Sequence, residues 1–248
     1  MSSTNCNIIH FSEINSTNSY ARDLLLQERP PEGTVITTDY QSTGKGQDKN
    51  SWESEAGMNI LVTIILYPDF LEVGRQFSLS MSVALGIVDF LEELLPGREI
   101  SIKWPNDIYV GREKIGGILI NNEIMGEKFE HVIAGVGVNL NQESFSKAII
   151  NPVSIKNLTG KHYSVKEETL RLCDRLMGRY RQLRSQELEQ ITSDYHDLLL
   201  GMGEWREYVY KGKTITARNT GVNEYGKLLL ENKDGMIECD LKELVYIF

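Results

Sequence analysis

The chain has 248 residues, with 26 Lys plus Arg against 35 Asp plus Glu and a net charge of −9. Its 41% hydrophobic and 25% charged residues exclude a disordered tail, a collagen-like chain or a low-complexity chain. An acidic chain is also a poor generic binder of nucleic acid, because phosphate affinity rests on cationic side chains. The three cysteines, Cys6, Cys173 and Cys239, are too far apart for a CxxC redox or zinc pair and suit a reducing compartment. The four histidines fall at no metal-ligand spacing. The N-terminus lacks a basic start followed by an apolar run, and no apolar stretch reaches the roughly 20 residues of a membrane helix. These features predict a cytoplasmic protein.

In chain order, Ile8 to Phe11 reads as a strand. Ser16-Thr17-Asn18-Ser19 then offers short polar side chains that can cap a helix start. Helical spacing of Tyr20, Leu24 and Leu25 ends at Pro30-Pro31. Val35 to Tyr40 is a β-branched strand, Gln41 to Ser51 a polar glycine-bearing loop, and Ile60 to Leu66 an apolar strand. Phe77, Met81, Ala84, Leu85, Val88, Leu91 and Leu95 recur every three or four positions, predicting a long buried-face helix. Short strands follow at Ile100 to Lys103, Ile115 to Asn121 and His131 to Leu140. Val165 to Leu200 predicts one long helix or two shorter ones. After Gly201 and Gly203, four short strands separated by turn signals predict a small all-β module that docks on the main domain. The main domain lacks regular strand–helix alternation, so an α+β domain with a mixed sheet is expected.

Four segments can carry chemistry. In the loop from Gln41 to Trp52, Gly44 and Gly46 permit close backbone approach to an anion, and Lys45 and Lys49 supply positive charge. It is not a Walker loop, because no Ser or Thr follows Lys45. Lys103-Trp104-Pro105-Asn106-Asp107 places an indole beside amide and carboxylate groups, with Pro105 disfavouring helix at Trp104. Lys114-Ile-Gly116-Gly117-Ile-Leu puts two glycines inside a strand. That arrangement suits either a ligand packed on the backbone or a β-bulge. In Gly135-Val-Gly137-Val-Asn139-Leu-Asn141, alternation leaves one strand face bare at the two glycines, with Asn139 at its end.

The order of these segments after Ser16-Thr17-Asn18 resembles the biotin–protein ligase family, most specifically in Lys103 to Asp107 and Lys114 to Leu119. The resemblance implies an α+β fold: a mixed-sheet catalytic domain of the biotin/lipoate ligase type over residues 1–202 and a small C-terminal SH3-like β barrel over residues 203–248. It implies an enzyme that uses ATP, biotin and Mg²⁺ to form biotinyl-5′-AMP. The biotin is then transferred to a lysine of a biotin carboxyl carrier protein. Lys114, Lys45 and Asp107 would be catalytic, Asp107 as a Mg²⁺ or acceptor-lysine partner. Ser16, Thr17, Asn18, Gln41, Gly44, Lys45, Gly46, Gln47, Lys114, Gly116 and Gly117 would line the biotin site. Trp52, Lys103, Asn106 and Asn139 would contact the nucleotide. No metal ligand set is assigned.

Where the family often carries Gly-Arg-Gly-Arg, this chain has Gly44-Lys45-Gly46-Gln47. Lys45 keeps charge without the bidentate fork of arginine, and Gln47 loses it. The lid would then lean on Lys49 or on hydrogen bonds. Many relatives carry an N-terminal helix-turn-helix domain; here the catalytic pattern starts near Met1, so no operator binding, nucleic-acid partner or membrane partner is expected. Sheet edges can pair, leaving a homodimer open. Two alternatives stand at this point: a lipoate–protein ligase, and a non-catalytic biotin- or nucleotide-binding module.

Overall fold

The computed structural model describes residues 7–47, 50–147 and 149–247; Cys6 and Lys49 lie outside them. Strands β1 (Ile8–Ile14), β2 (Thr34–Gln41), β3 (Ile60–Leu66), β4 (Ile100–Lys103), β5 (Asp107–Val110), β6 (Glu113–Met125) and β7 (Lys128–Val138) form one seven-stranded sheet in the order β1-β2-β3-β7-β6-β5-β4. β1 and β2 pair parallel and the remaining neighbours antiparallel. This is the mixed sheet of an α+β domain.

The sheet's two faces are covered differently. On one lie α2 (Phe77–Leu94), α3 (Val165–Arg184) and α4 (Leu188–Asp197). The continuous apolar pattern of α2 explains its placement: Leu85, Ile87, Phe90 and Leu91 are all fully buried. Each is worth roughly 1.5–3 kcal/mol of transfer free energy. Val62, Ile64, Val132, Val136 and Ile118 join the same core from the sheet. The predicted helical stretch from Val165 is two helices because the chain turns at Gln186, whose φ is 63°. On the other face, α1 (Thr17–Leu25) is the one helix among the described residues, burying Ala21 against Ile36, Ile65 and Ile133. One helix cannot cover seven strands, so part of this face stays open beyond α1.

The C-terminal strands β8 (Trp205–Tyr210), β9 (Lys213–Val222), β10 (Leu228–Asn232), β11 (Gly235–Cys239) and β12 (Leu244–Tyr246) form an antiparallel sheet in the order β11-β10-β9-β8-β12. β11 and β12 are its two edges, so the small β module expected here is a separate five-stranded antiparallel sheet that does not close among the described residues. Its buried Tyr208, Leu228, Leu230 and Cys239 belong to the same contiguous core as Ile102 and Tyr195 of the larger sheet and helices. Polar ties add direction: the Trp104 indole N–H donates to the Gly226 carbonyl at 2.9 Å, and the Val222 N–H donates to His196 Nε2 at 3.0 Å. Two strands, β5 and β12, were not marked by the sequence pattern. Each has only three or four residues, too few for alternation to show.

Candidate active site

Register builds the site. Lys103 pairs with Asp107, Asp107 with Gly117, Gly117 with Gly137, and Gly137 with Leu61. Directly opposed residues share a sheet face. One row across five strands therefore runs from an ammonium, through a carboxylate and two bare glycines, to a leucine. The neighbouring row is Leu119, Gly135 and Thr63.

Strict alternation from Gly117 would send Lys114 to the opposite face. A bulge corrects this: Ile108 pairs with Gly116 while Tyr109 pairs with Lys114, leaving Ile115 as the extra residue. The Lys114 ammonium consequently reaches Asp107 Oδ1 at 2.5 Å, while Lys103 lies 3.6 Å from Oδ2 of the same carboxylate. Burial lowers the Lys103 pKa; Asp107 opposes that shift and Lys114 adds to it. The Tyr109 phenol, also buried and facing Asp107, is pushed up to about 12 and stays protonated.

The glycine floor is already used by two side chains. A Cβ at Gly135 would collide with the Asn18 amide. That amide is fixed by donation to the Leu119 carbonyl at 3.0 Å and by the Thr63 hydroxyl, which donates to Asn18 Oδ1 at 2.5 Å. A Cβ at Gly137 would stand 2.5 Å from Trp52 Cε2, and one at Gly117 would stand 3.1 Å from Trp52 Cζ3. The indole thus lies flat over both glycines. Its Nε1 is buried with no hydrogen-bond partner among the described residues. The chain reaches Trp52 through a tight loop in which the Trp52 N–H donates to the Gly44 carbonyl at 3.0 Å and Lys45 bridges to Ser51.

Ser16 is the residue before α1, but its side chain makes no capping bond. Gln41 takes that role: its Oε1 accepts the Thr17 N–H at 2.8 Å and the Thr17 hydroxyl at 3.2 Å. The expected capping by the Ser16-Thr17-Asn18-Ser19 cluster is therefore replaced by a strand residue. Trp104 to Asn106 form the turn joining β4 and β5, with a cis Trp104–Pro105 peptide.

These elements enclose a cavity of about 750 Å³. Ser16, Thr17, Asn18, Gln41, Lys45, Gly46, Gln47, Trp52, Lys103, Asn106, Asp107, Lys114 and Gly117 line it. Three sequence-predicted residues do not. Gly44 packs against the Trp52 backbone. Gly116 faces the core, where a Cβ would meet Val138 and Ile108. Asn139 is buried and donates to the Val153 carbonyl at 3.0 Å, bracing the segment that pairs with Lys114. Asn106 lines the cavity, with its amide N–H committed to the Ile118 carbonyl at 2.9 Å. Tyr109, Ile150, Leu244 and Tyr246 also line it; no sequence motif marks them, and Leu244 and Tyr246 come from the C-terminal module.

Four lysines line the cavity, Lys45, Lys103, Lys114 and Lys242, against the two carboxylates Glu53 and Asp107. In a chain of charge −9, this local cationic excess selects anionic ligands. Among the described residues, no group of three or more His, Cys, Asp or Glu is arranged to hold a metal ion. No helix of the described residues is long and apolar enough to cross a membrane.

Comparison with known proteins adds to the geometry. The model of the biotin/lipoate A/B protein ligase family matches residues 11–139. The bifunctional ligase/repressor BirA of Bacillus spizizenii is 28% identical over 232 residues, covering 92% of this chain and 70% of that protein. The biotin–[acetyl-CoA-carboxylase] ligase of Paracoccus denitrificans is 32% identical over 125 residues, or 48% of this chain and 51% of that protein. The biotin protein ligase of Aquifex aeolicus, solved in complex with biotin and ATP, superposes with a TM-score of 0.78 at 25% identity, covering 96% of this chain and 97% of that one. The matched span holds Lys45, Lys103, Lys114, Asp107 and the glycine floor of the cavity, and the chain belongs to the biotin/lipoate A/B protein ligase family, as a ligase enzyme.

Proposed function

We propose that this enzyme is a biotin–protein ligase. In the first step a biotin carboxylate oxygen attacks the α-phosphorus of ATP. The bond to the bridging oxygen breaks, and pyrophosphate leaves with the electron pair, giving biotinyl-5′-adenylate. In the second, the amine of a lysine on a biotin carboxyl carrier protein attacks the acyl carbon, sheds a proton and expels AMP. The observation that carries this reading is the row from Lys103 and Asp107 across Gly117 and Gly137, with the Lys114 ammonium brought to Asp107 by the bulge, so that two cations stand at one end of a glycine-floored cavity.

The chemistry explains why that row matters. A carboxylate and a triphosphate repel, so their approach needs cations fixed in place beforehand, commonly the largest single catalytic contribution. Lys114 and Lys103 meet that need, and Asp107 holds both ammonium groups. Its two oxygens are committed to those lysines, so the Mg²⁺ that accompanies ATP is best carried by the triphosphate as part of the substrate. The hydrocarbon end of the row, with Leu61, Leu119 and the polar Ser16, Thr17 and Gln41 beside it, suits an apolar bicycle bearing a hydrogen-bonding head. Lys45 and Gln47 would close over the acyl phosphate. Trp52 offers its indole to the adenine.

The test is pyrophosphate exchange into ATP, measured with biotin and with lipoate, followed by mass analysis of a carrier domain. Exchange stimulated by biotin alone, with the carrier heavier by one biotinyl group, is the expected result. Stimulation by lipoate alone would assign the enzyme to the other branch of the family. Biotin binding without any adenylate would leave only a binding module.

A further inference from the structure

We propose that Tyr246, on the last strand of the C-terminal module, is a positioning residue for the ligase reaction: the face of its ring holds the ammonium of Lys103 toward the reacting anions. The inference rests on the reading of Lys103 as one of the two cations that meet the carboxylate and the phosphate. Lys103 Nζ lies 5.3 Å from the Tyr246 ring centroid and 5.6 Å from that of Tyr109. Both distances are within the range of cation–π attraction. The other charged groups facing it are Asp107 and Lys114. Asp107 pulls the ammonium along the sheet, and the rings bound it from the strand beside and from the module.

Three further observations point to the ring rather than to the hydroxyl. The Tyr246 hydroxyl is buried without a hydrogen-bond partner among the described residues. A phenol kept for its O–H would have one. The ring is held edge-on by Tyr208 at 5.4 Å and 75°. Tyr208 is also its directly opposed partner across β8 and β12, so the ring's tilt is set by the module's own sheet. Finally, Tyr246 lines the catalytic cavity, on the edge strand by which the module borders it together with Leu244. Through this ring the seating of the module reaches the reacting end of the cavity.

The test uses the full-length enzyme and biotin-dependent pyrophosphate exchange. If the wild type shows no such exchange, the functional reading itself falls, separately from the role of Tyr246. Given exchange, Tyr246→Phe is expected to stay within about twofold of wild type, and Tyr246→Leu to lose about five- to thirty-fold in kcat, with KM for biotin unchanged. Replacing Tyr246 with phenylalanines carrying two, three and five ring fluorines keeps the shape while draining the negative ring face. A stepwise fall in kcat along that series is expected and does not depend on Tyr246→Leu folding. A flat fluorine series, a Phe variant as impaired as Leu, or a Leu variant equal to wild type would each overturn the proposal.

Discussion

Asp107 Oδ1 lies 2.5 Å from Lys114 Nζ, because the bulge between β5 and β6 turns Lys114 onto the face of Asp107. Lys114→Ala should lower the rate of adenylate formation by on the order of 10²–10³, the usual cost of removing one preorganised electrostatic group. The melting temperature should stay within a few degrees, because Lys114 is partly exposed. Asp107→Asn keeps an acceptor but removes the charge that gathers both lysines. A smaller loss, of about tenfold, is expected. Both are read by single-turnover formation of the acyl adenylate. Parent-like rates in Lys114→Ala would remove this residue from the chemistry.

Gly137→Ala tests the floor. The new methyl group would stand 2.5 Å from Trp52 Cε2, so the indole must lift. Overpacking of this kind costs roughly 1–3 kcal/mol. The KM for ATP should rise about tenfold while KM for biotin changes less. Gly135→Ala should do the reverse, because its methyl group meets Asn18 instead. Equal effects on both substrates in both variants would mean that the two glycines do not mark separate ligand regions.

Gln47 lines the cavity beside Lys45, where an arginine would add a charged fork. Gln47→Arg is expected to lengthen the lifetime of the bound adenylate by about tenfold, the size of one hydrogen bond to a charged group. Release is followed by chasing labelled adenylate with excess unlabelled ligand. Identical release rates would show that this position does not govern retention.

Glu32 supplies a pH prediction away from the chemistry. Burial raises its pKa, but hydrogen bonds from the Tyr180 hydroxyl at 2.7 Å, the Tyr67 N–H at 3.0 Å and Arg184 at 2.5 Å outweigh burial and leave it below the ordinary glutamate value. A carboxylate with a depressed folded-state pKa stabilises the fold above its unfolded pKa, and that contribution fades as pH falls through the folded value. Glu32→Gln should therefore lower the melting temperature at pH 7 and flatten its decline between roughly pH 5 and 3. An acid limb unchanged by the substitution would place the pH dependence elsewhere.

The sequence carried the mixed sheet because β3, α2 and β7 have long apolar patterns, and those patterns come from deep burial, in β3 on both faces. It carried the bare glycine face because alternation along a single strand is a local property. Four things depended on pairing partners elsewhere in the chain. Lys114 reaches the cavity through the pairing mismatch between β5 and β6, which spacing within either strand does not reveal. Gly116 and Gly117 look equivalent in sequence, yet the register turns only Gly117 toward the cavity. Asn139 continues the bare face by alternation, but its amide is drawn to Val153 where the strand ends. Tyr246 sits on a strand of three residues, too short to mark itself, and its neighbour Lys103 is far away in sequence.

The row from Lys103 to Leu61 measures distance in a particular way. Neighbouring strands are about 4.8 Å apart, so its four steps span roughly 19 Å, and the sheet itself becomes a ruler laid crosswise under an amphiphile. An acid too short by one or two strands would leave its carboxylate over the bare glycines instead of beside ammonium. Length discrimination would then follow from hydrogen-bond spacing in the backbone, a dimension that no side-chain substitution can retune.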